Sequence, residues 1–311
     1  MNTKIEILCV GETLIDYIGH QTAPSLAETK DYHRYLGGSP TNVAMNMARL
    51  GVGTCLVASV GNDGFGKYVL EKLNQARINT NYIKALEDVP TTVIFVSRTT
   101  ETPDFIAYRQ ADAMIGPDQL PDELLSHIKV FHTTCFALSK QPAQHTILDA
   151  AKRASRVGVK LSIDINYSEK IWPDRQNAIQ CIKEYCALNP LVKISEDDMQ
   201  RLFKKKLNHT EIFEFFHELG VEIVCLTLGS KGVKASHNNT IISLPAIKIE
   251  KIMDATGAGD AFWSGFLFAY IKKNPLEHCL KTALRLAALK LQNVGRLPEN
   301  VDVLSELLKI E

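Results

Sequence analysis

Short apolar runs and helix-like patterns alternate along most of this chain, and no other feature restricts the fold so strongly. The runs at 5–10, 56–60, 129–132, 160–165 and 191–194 have strand length, whereas 40–50, 65–76, 143–157 and the 170s–180s space their apolar residues as a helix does. Strand, helix and strand in repetition predict a mainly parallel sheet covered by helices, an α/β fold.

Two stretches, about 14–36 and 91–109, break this rhythm with extended patterns such as Thr91-Thr-Val-Ile-Phe-Val-Ser97 where a helix is due. They are expected to form a separate small sheet. Because both leave the main fold beside candidate binding residues, they read as a lid, the plain alternative being a pair of decorative hairpins. After about residue 222 hairpin patterns follow at 222–228, 232–236 and 240–244, then helices at 259–272 and 276–293. With no repeat or long linker, the simplest organisation is one domain over 1–311, with the lid inserted in it.

Composition narrows the function classes. The 35 basic and 35 acidic side chains cancel, leaving no global field for nucleic acid or an acidic membrane surface. The first residues lack the basic-then-apolar pattern of a signal peptide, and no apolar run approaches the roughly 18 residues of a membrane span. A cytoplasmic location is expected. The seven cysteines are scattered without a Cys-x-x-Cys pair and read as small buried hydrophobes; Cys135, weighed as a nucleophile, has nothing beside it to activate it.

Four segments are candidates for chemistry. In 36–51, Gly37 and Gly38 precede Ser39 as N-cap and Pro40 as first helical residue, and Asn42 in the first turn can offer an amide to a polyhydroxylated ligand. The segment Gly61-Asn-Asp-Gly-Phe-Gly-Lys-Tyr68 imitates a P-loop, but Tyr68 stands where a small hydroxyl is needed, so it reads as a decoy. In 224–233, Thr227, Gly229 and Gly232 border either a nucleotide or nothing more than a hairpin turn.

The sharpest segment is Asp254-Ala-Thr-Gly-Ala-Gly-Asp260, a glycine-rich turn running into an apolar helix. The amides of Gly257, Ala258 and Gly259 would converge at the positive end of that helix and stabilise charge on a transferring phosphoryl group. Asp260 would face the same point as a weak base, its anion favoured by the helix end. The plain alternative leaves Asp260 merely complementing that helix end.

Taken in order and spacing, these pieces resemble the ribokinase (pfkB) family of carbohydrate kinases over essentially the whole chain. Gly37, Gly38, Asn42, Ala44, Gly51 and Gly61 are similar to its first signature and 254–267 to its second, with the turn around Gly229 between them. The resemblance implies a ribokinase-like, Rossmann-type three-layer sandwich with a small β-sheet lid, transferring phosphate from ATP and Mg2+ to a sugar hydroxymethyl group. By motif, Asp16, Gly37, Gly38, Asn42 and Arg109 would hold the sugar, Gly257 to Gly259 would form the anion hole, and Asp260 would be the base.

The nucleotide side would comprise Asn166, Ser195, Thr227, Gly229, Gly232 and Gly259, with Asp198 toward magnesium and Asp254 and Thr256 toward a monovalent cation such as K+. Arg109 and the 164–173 stretch resemble the fructokinase and ketodeoxygluconate kinase branch. That favours fructose or a similar hexose, with 2-keto-3-deoxygluconate or 5-dehydro-2-deoxygluconate as the alternative and an impaired sugar- or nucleotide-binding regulator as the third reading. Ser168 departs from the Arg usual there, with Lys170 nearby, and 195–198 departs from the family's Asn-x-x-Glu. A homodimer through paired lids would cover lid edge strands.

Overall fold

The structure is a computed structural model that describes residues 4–99, 104–238, 240–293, 297 and 305. In chain order its strands are β1 (Ile7–Val10), β2 (Leu14–Thr22), β3 (Tyr32–Gly37), β4 (Thr54–Gly61), β5 (Ile83–Leu86), β6 (Val93–Arg98), β7 (Phe105–Tyr108), β8 (Val130–Thr134), β9 (Lys160–Asp164), β10 (Leu191–Ser195), β11 (Ile223–Thr227), β12 (Val233–His237) and β13 (Thr240–Leu244). The helices are α1 (Ser39–Arg49), α2 (Gly64–Gln75), α3 (Asp122–Ser126), α4 (Ala143–Arg156), α5 (Arg175–Cys186), α6 (Glu196–Phe203), α7 (His209–Glu218), α8 (Ala258–Ile271) and α9 (Leu276–Leu291).

The large sheet runs in the order β13-β12-β11-β10-β9-β8-β1-β4-β5, parallel from β11 through β5, with antiparallel β12 and β13 at one edge. Side chains alternate across a strand, and β1 shows the consequence. Leu8 and Val10 enter one core with α4 and α5, while Ile7 and Cys9 enter the other with α1, α8 and α9. Helices therefore cover both faces, giving three layers. The two interruptions of the alternating pattern supply the second sheet, ordered β3-β2-β6-β7.

Helix α8 is apolar all round because it is enclosed, packing on α9 and α1 as well as the sheet. Gly265 permits that packing, since a Cβ there would lie 2.8 Å from the Ala283 backbone of α9. The sequence reading passed over 196–218, where α6 and α7 lie, and over edge strand β5. Its α1 cap also needs correction. Ser39 is the first helical residue and Gly38 the cap, with φ of 101°; the buried Glu12 carboxylate accepts from the Ser39 amide at 3.0 Å and does the capping from a distant part of the chain.

Candidate active site

Residues distant in sequence meet where the β1–β2 connection, the start of α1 and the start of α8 converge. The paired glycines of the first motif exist for this meeting. A Cβ on Gly37 would fall 2.1 Å from Asp16 Oδ2, and one on Gly38 would fall 2.3 Å from the Glu12 carbonyl. Gly37 thus leaves room for the Asp16 carboxylate, and Gly38 lets α1 start directly over Glu12. Asp16, Asn42, Asp254, Thr256 and Gly257 line one cleft.

Asp260 lies in the first turn of α8 and is held from α1. The Ser39 hydroxyl donates to its Oδ1 at 2.6 Å and the Asn42 amide to its Oδ2 at 2.8 Å. A second tie supports the first: Asn46 donates to the Ser264 hydroxyl at 3.2 Å, which donates to the Asp260 carbonyl at 2.6 Å. Desolvation raises the Asp260 pKa above the ordinary carboxylate value, against the pull of Ser39, Asn42, Lys193 and Lys290. This reverses the direction expected from the helix end alone. Asp260 is a stronger base than its position in the helix suggests.

Beneath α8 lies Lys193, which the sequence reading missed. Its ammonium binds both oxygens of the buried Asp164 at 2.8 and 2.9 Å, and a Cβ on Gly259 would come within 3.0 Å of its Nζ. Burial opposes the charge on Lys193, but Asp164, Asp198 and Asp260 outweigh it and lift the pKa above the usual lysine value. A fixed cation therefore sits under the helix N-terminus, adding to the field of the amides there. Of the three amides expected to form the anion hole, that of Ala258 is spent on the Ala255 carbonyl at 3.1 Å. Gly257, the αL cap with φ of 73°, and Gly259 occupy the other two positions.

The remaining candidates divide. Arg109 is buried, its guanidinium joined to Asp112 at 2.5 Å and to Ser139, and lying 4.1 Å over the Phe136 ring. Asn166 accepts from the Phe136 amide at 3.1 Å. Ser195 caps α6 and donates to one oxygen of Asp198, whose other oxygen accepts from Arg201 at 2.6 Å. Each Asp198 oxygen thus takes one hydrogen bond from a protein group and keeps a further lone pair. Among the described residues no cluster of three His, Cys, Asp or Glu side chains could hold a metal.

Thr227 donates to the Ile194 carbonyl at 3.4 Å, and Gly229 faces open space. At Gly232, with φ of 102°, a Cβ would fall 2.1 Å from the Leu244 carbonyl, which makes that glycine a requirement of the hairpin itself. Lys170 is drawn to Asp104 at 2.7 Å beside β7. Of the two residues expected at a monovalent cation, Asp254 is hydrogen-bonded at each of its oxygens: Oδ1 accepts from the Thr256 amide at 2.9 Å, and its carbonyl and Oδ2 each accept from Lys290 at 3.3 Å.

The P-loop imitation resolves as a capped helix. The Asp63 carboxylate accepts from the amides of Phe65, Gly66 and Thr91 and from the Thr91 hydroxyl, all within 2.9 Å, which fills the space a phosphate would need. Desolvation opposes its charge, yet those bonds carry its pKa below the ordinary value. Lys67 is exposed. Cys135 is buried with its thiol pushed up by desolvation, which removes it as a nucleophile.

Comparison with known proteins bears on the family and the fold. The family model described as pfkB family carbohydrate kinase matches residues 4–300. A protein named ATP-dependent 6-phosphofructokinase from Thermoanaerobacterium thermosaccharolyticum is 33% identical, the alignment covering 96% of this chain and 92% of that one. The fructokinase structure from Halothermothrix orenii superposes with a TM-score of 0.80 at 34% identity, covering 94% of this chain and 99% of that chain. A sugar kinase from Pyrococcus horikoshii, solved with ATP, gives a TM-score of 0.82 at 26% identity over 97% and 99% of the two chains. With the fold, the paired-glycine turn and the glycine-rich start of α8 all in place, the chain belongs to the pfkB family of carbohydrate kinases.

Proposed function

We propose that this kinase transfers the γ-phosphoryl group of ATP to a hydroxymethyl oxygen of a hexose, fructose first, with Asp260 as the base. The observation that carries the reading is the fixed Asp260 carboxylate at the N-terminus of α8, tied to Ser39 and Asn42 beside the cleft lined by Asp16 and Gly257. The sugar oxygen attacks the γ-phosphorus, the bond to the bridging oxygen breaks, ADP leaves, and the hydroxyl proton passes to an Asp260 oxygen. Phosphoryl transfer with a loose transition state asks for little proton removal until late, so positioning matters more than basicity.

The chain's own residues hold and screen. Asp16 accepts from sugar hydroxyls, the amides of Gly257 and Gly259 meet charge on the transferring group, and Lys193 offsets the charge that the Asp260 carboxylate carries before it takes the proton. ATP would enter as its magnesium complex, the metal neutralising phosphate charge. The small sheet would act as the lid that excludes water and prevents idle hydrolysis. Arg109, bound to Asp112 and Ser139, is committed within the protein and favours neither the hexose nor the sugar acid.

A second reading, fructose 6-phosphate as acceptor, is supported by the name of the Thermoanaerobacterium relative. A coupled assay of ADP release with fructose, fructose 6-phosphate and 2-keto-3-deoxygluconate separates the three acceptors. The base assignment fails if Asp260→Ala keeps wild-type turnover. If Lys67→Ala abolishes turnover while Asp260→Ala does not, the P-loop reading is restored.

A further inference from the structure

Lys290 is a charged residue within the apolar pattern of α9, and its ammonium is buried against the loop that enters α8. Its side chain is 4% exposed, and Nζ donates to the Asp254 carbonyl and Asp254 Oδ2 at 3.3 Å each and to the Asn293 carbonyl at 3.2 Å. An ammonium has three donors. Here it meets three oxygens, two carbonyls and one carboxylate, the hard-oxygen set that a monovalent cation would take.

From this geometry we infer that the Lys290 ammonium is a covalently attached substitute for a monovalent cation at the Asp254 loop, so that the protein needs neither K+ nor Na+. The disagreement with the family expectation is one of space and charge together. An added cation would have to share Asp254 with a fixed positive charge at hydrogen-bond distance, and like charges so close repel strongly in a buried site.

The lysine also reaches the chemistry indirectly. Asp254 Oδ1 closes a turn onto the Thr256 amide, and the Met253 amide bonds the Leu291 carbonyl at 2.8 Å, so the last turn of α9 clamps the segment leading to Gly257. Lys290 Cε lies 3.9 Å from where a Gly257 Cβ would stand. Lys290 is thus a positioning residue for the anion-hole loop and an unspecific source of positive potential near Asp260. Its side chain also borders the cleft lined by Asp16, Asn42 and Gly257.

The consequence for turnover rests on the kinase reading above, whereas the consequence for stability does not. Melting of the wild-type protein is compared in KCl, NaCl and tetramethylammonium chloride at equal ionic strength, with and without MgATP, and turnover is followed in the same salts. The expected result is the same melting temperature and turnover in all three. In Lys290→Ala, the opened space is expected to make melting potassium-dependent and to lower kcat/KM about tenfold in tetramethylammonium, with partial recovery in potassium.

A wild-type protein stabilised by potassium over tetramethylammonium overturns the proposal, and this arm needs no variant to fold. A folded Lys290→Ala that melts identically in both salts also overturns it. Absence of turnover on every sugar, in every salt, would instead count against the kinase reading and leave the melting comparison to decide on Lys290.

Discussion

Asn42 donates its side-chain amide to Asp260 Oδ2 at 2.8 Å across 218 residues of sequence, joining the first turn of α1 to the first turn of α8. Ser39 makes the companion bond to Oδ1 at 2.6 Å. Two glycine-led helix starts are thereby locked together, and the carboxylate proposed as base is oriented by neighbours that the sugar-binding motif also uses.

Ser39→Ala removes one donor from Asp260 without touching the cleft lining. Burial already raises this pKa and Ser39 restrains it, so the loss should raise it further. The base acts as the anion; turnover is lost as pH falls through its pKa. The acidic limb of the kcat profile should move to higher pH, with the sugar KM little changed. An unmoved limb would remove Ser39 from this role.

Lys193→Met leaves Asp164 buried without its cation. Losing one partner of a buried pair costs about 3–5 kcal/mol, which urea unfolding should register. Adding Asp164→Asn should recover part of that stability, because the uncompensated charge is gone. It should not recover turnover if the ammonium supports charge at Asp260.

Glu12 sets a pH dependence of stability. Desolvation lifts its carboxyl from an ordinary 4.5 to about 8, despite bonds from Thr134 and the Ser39 amide and the nearby Arg109. The folded state therefore binds its proton more tightly than the unfolded chain. Stability from this group is full below about pH 4.5, falls as pH rises and is lost once pH passes about 8. Glu12→Gln, which keeps an acceptor for Ser39 and stays neutral, should flatten that slope in melting curves taken across the range.

Gly37→Ala places a methyl group where Asp16 Oδ2 now lies, 2.1 Å away. The carboxylate must swing aside. The sugar KM should rise while the acidic limb governed by Asp260 stays in place; a variant with unchanged KM would take Asp16 out of sugar binding.

Asp63→Ala removes the cap of α2 and should cost about 1 kcal/mol or more in chemical denaturation. Lys67→Ala should change neither stability nor turnover, since that side chain is exposed. Those two results together distinguish a helix cap from a phosphate loop.

By itself the sequence determined the layer architecture and the two glycine-rich turns. Periodicity marks strands and helices locally, and Asp254-Ala-Thr-Gly-Ala-Gly-Asp260 needs no partner to be read as a helix start. It also marked both insertions, because 14–36 and 91–109 carry strand patterns where helices were due. Short β5 and the polar, capped starts of α6 and α7 carried too weak a pattern and were passed over.

Only the tertiary structure decided which charges face one another. Glu12, Lys193 and Lys290 are single charged residues within or beside apolar segments, and in the sequence their sole signal was that misfit. Their partners lie 27, 29 and 36 residues away. Whether such a residue is solvated or buried against a carboxylate depends on packing between elements, which local pattern does not encode. The same holds for Asp260: its place at a helix start was legible, but desolvation, which raises its pKa, comes from the other elements folded around it.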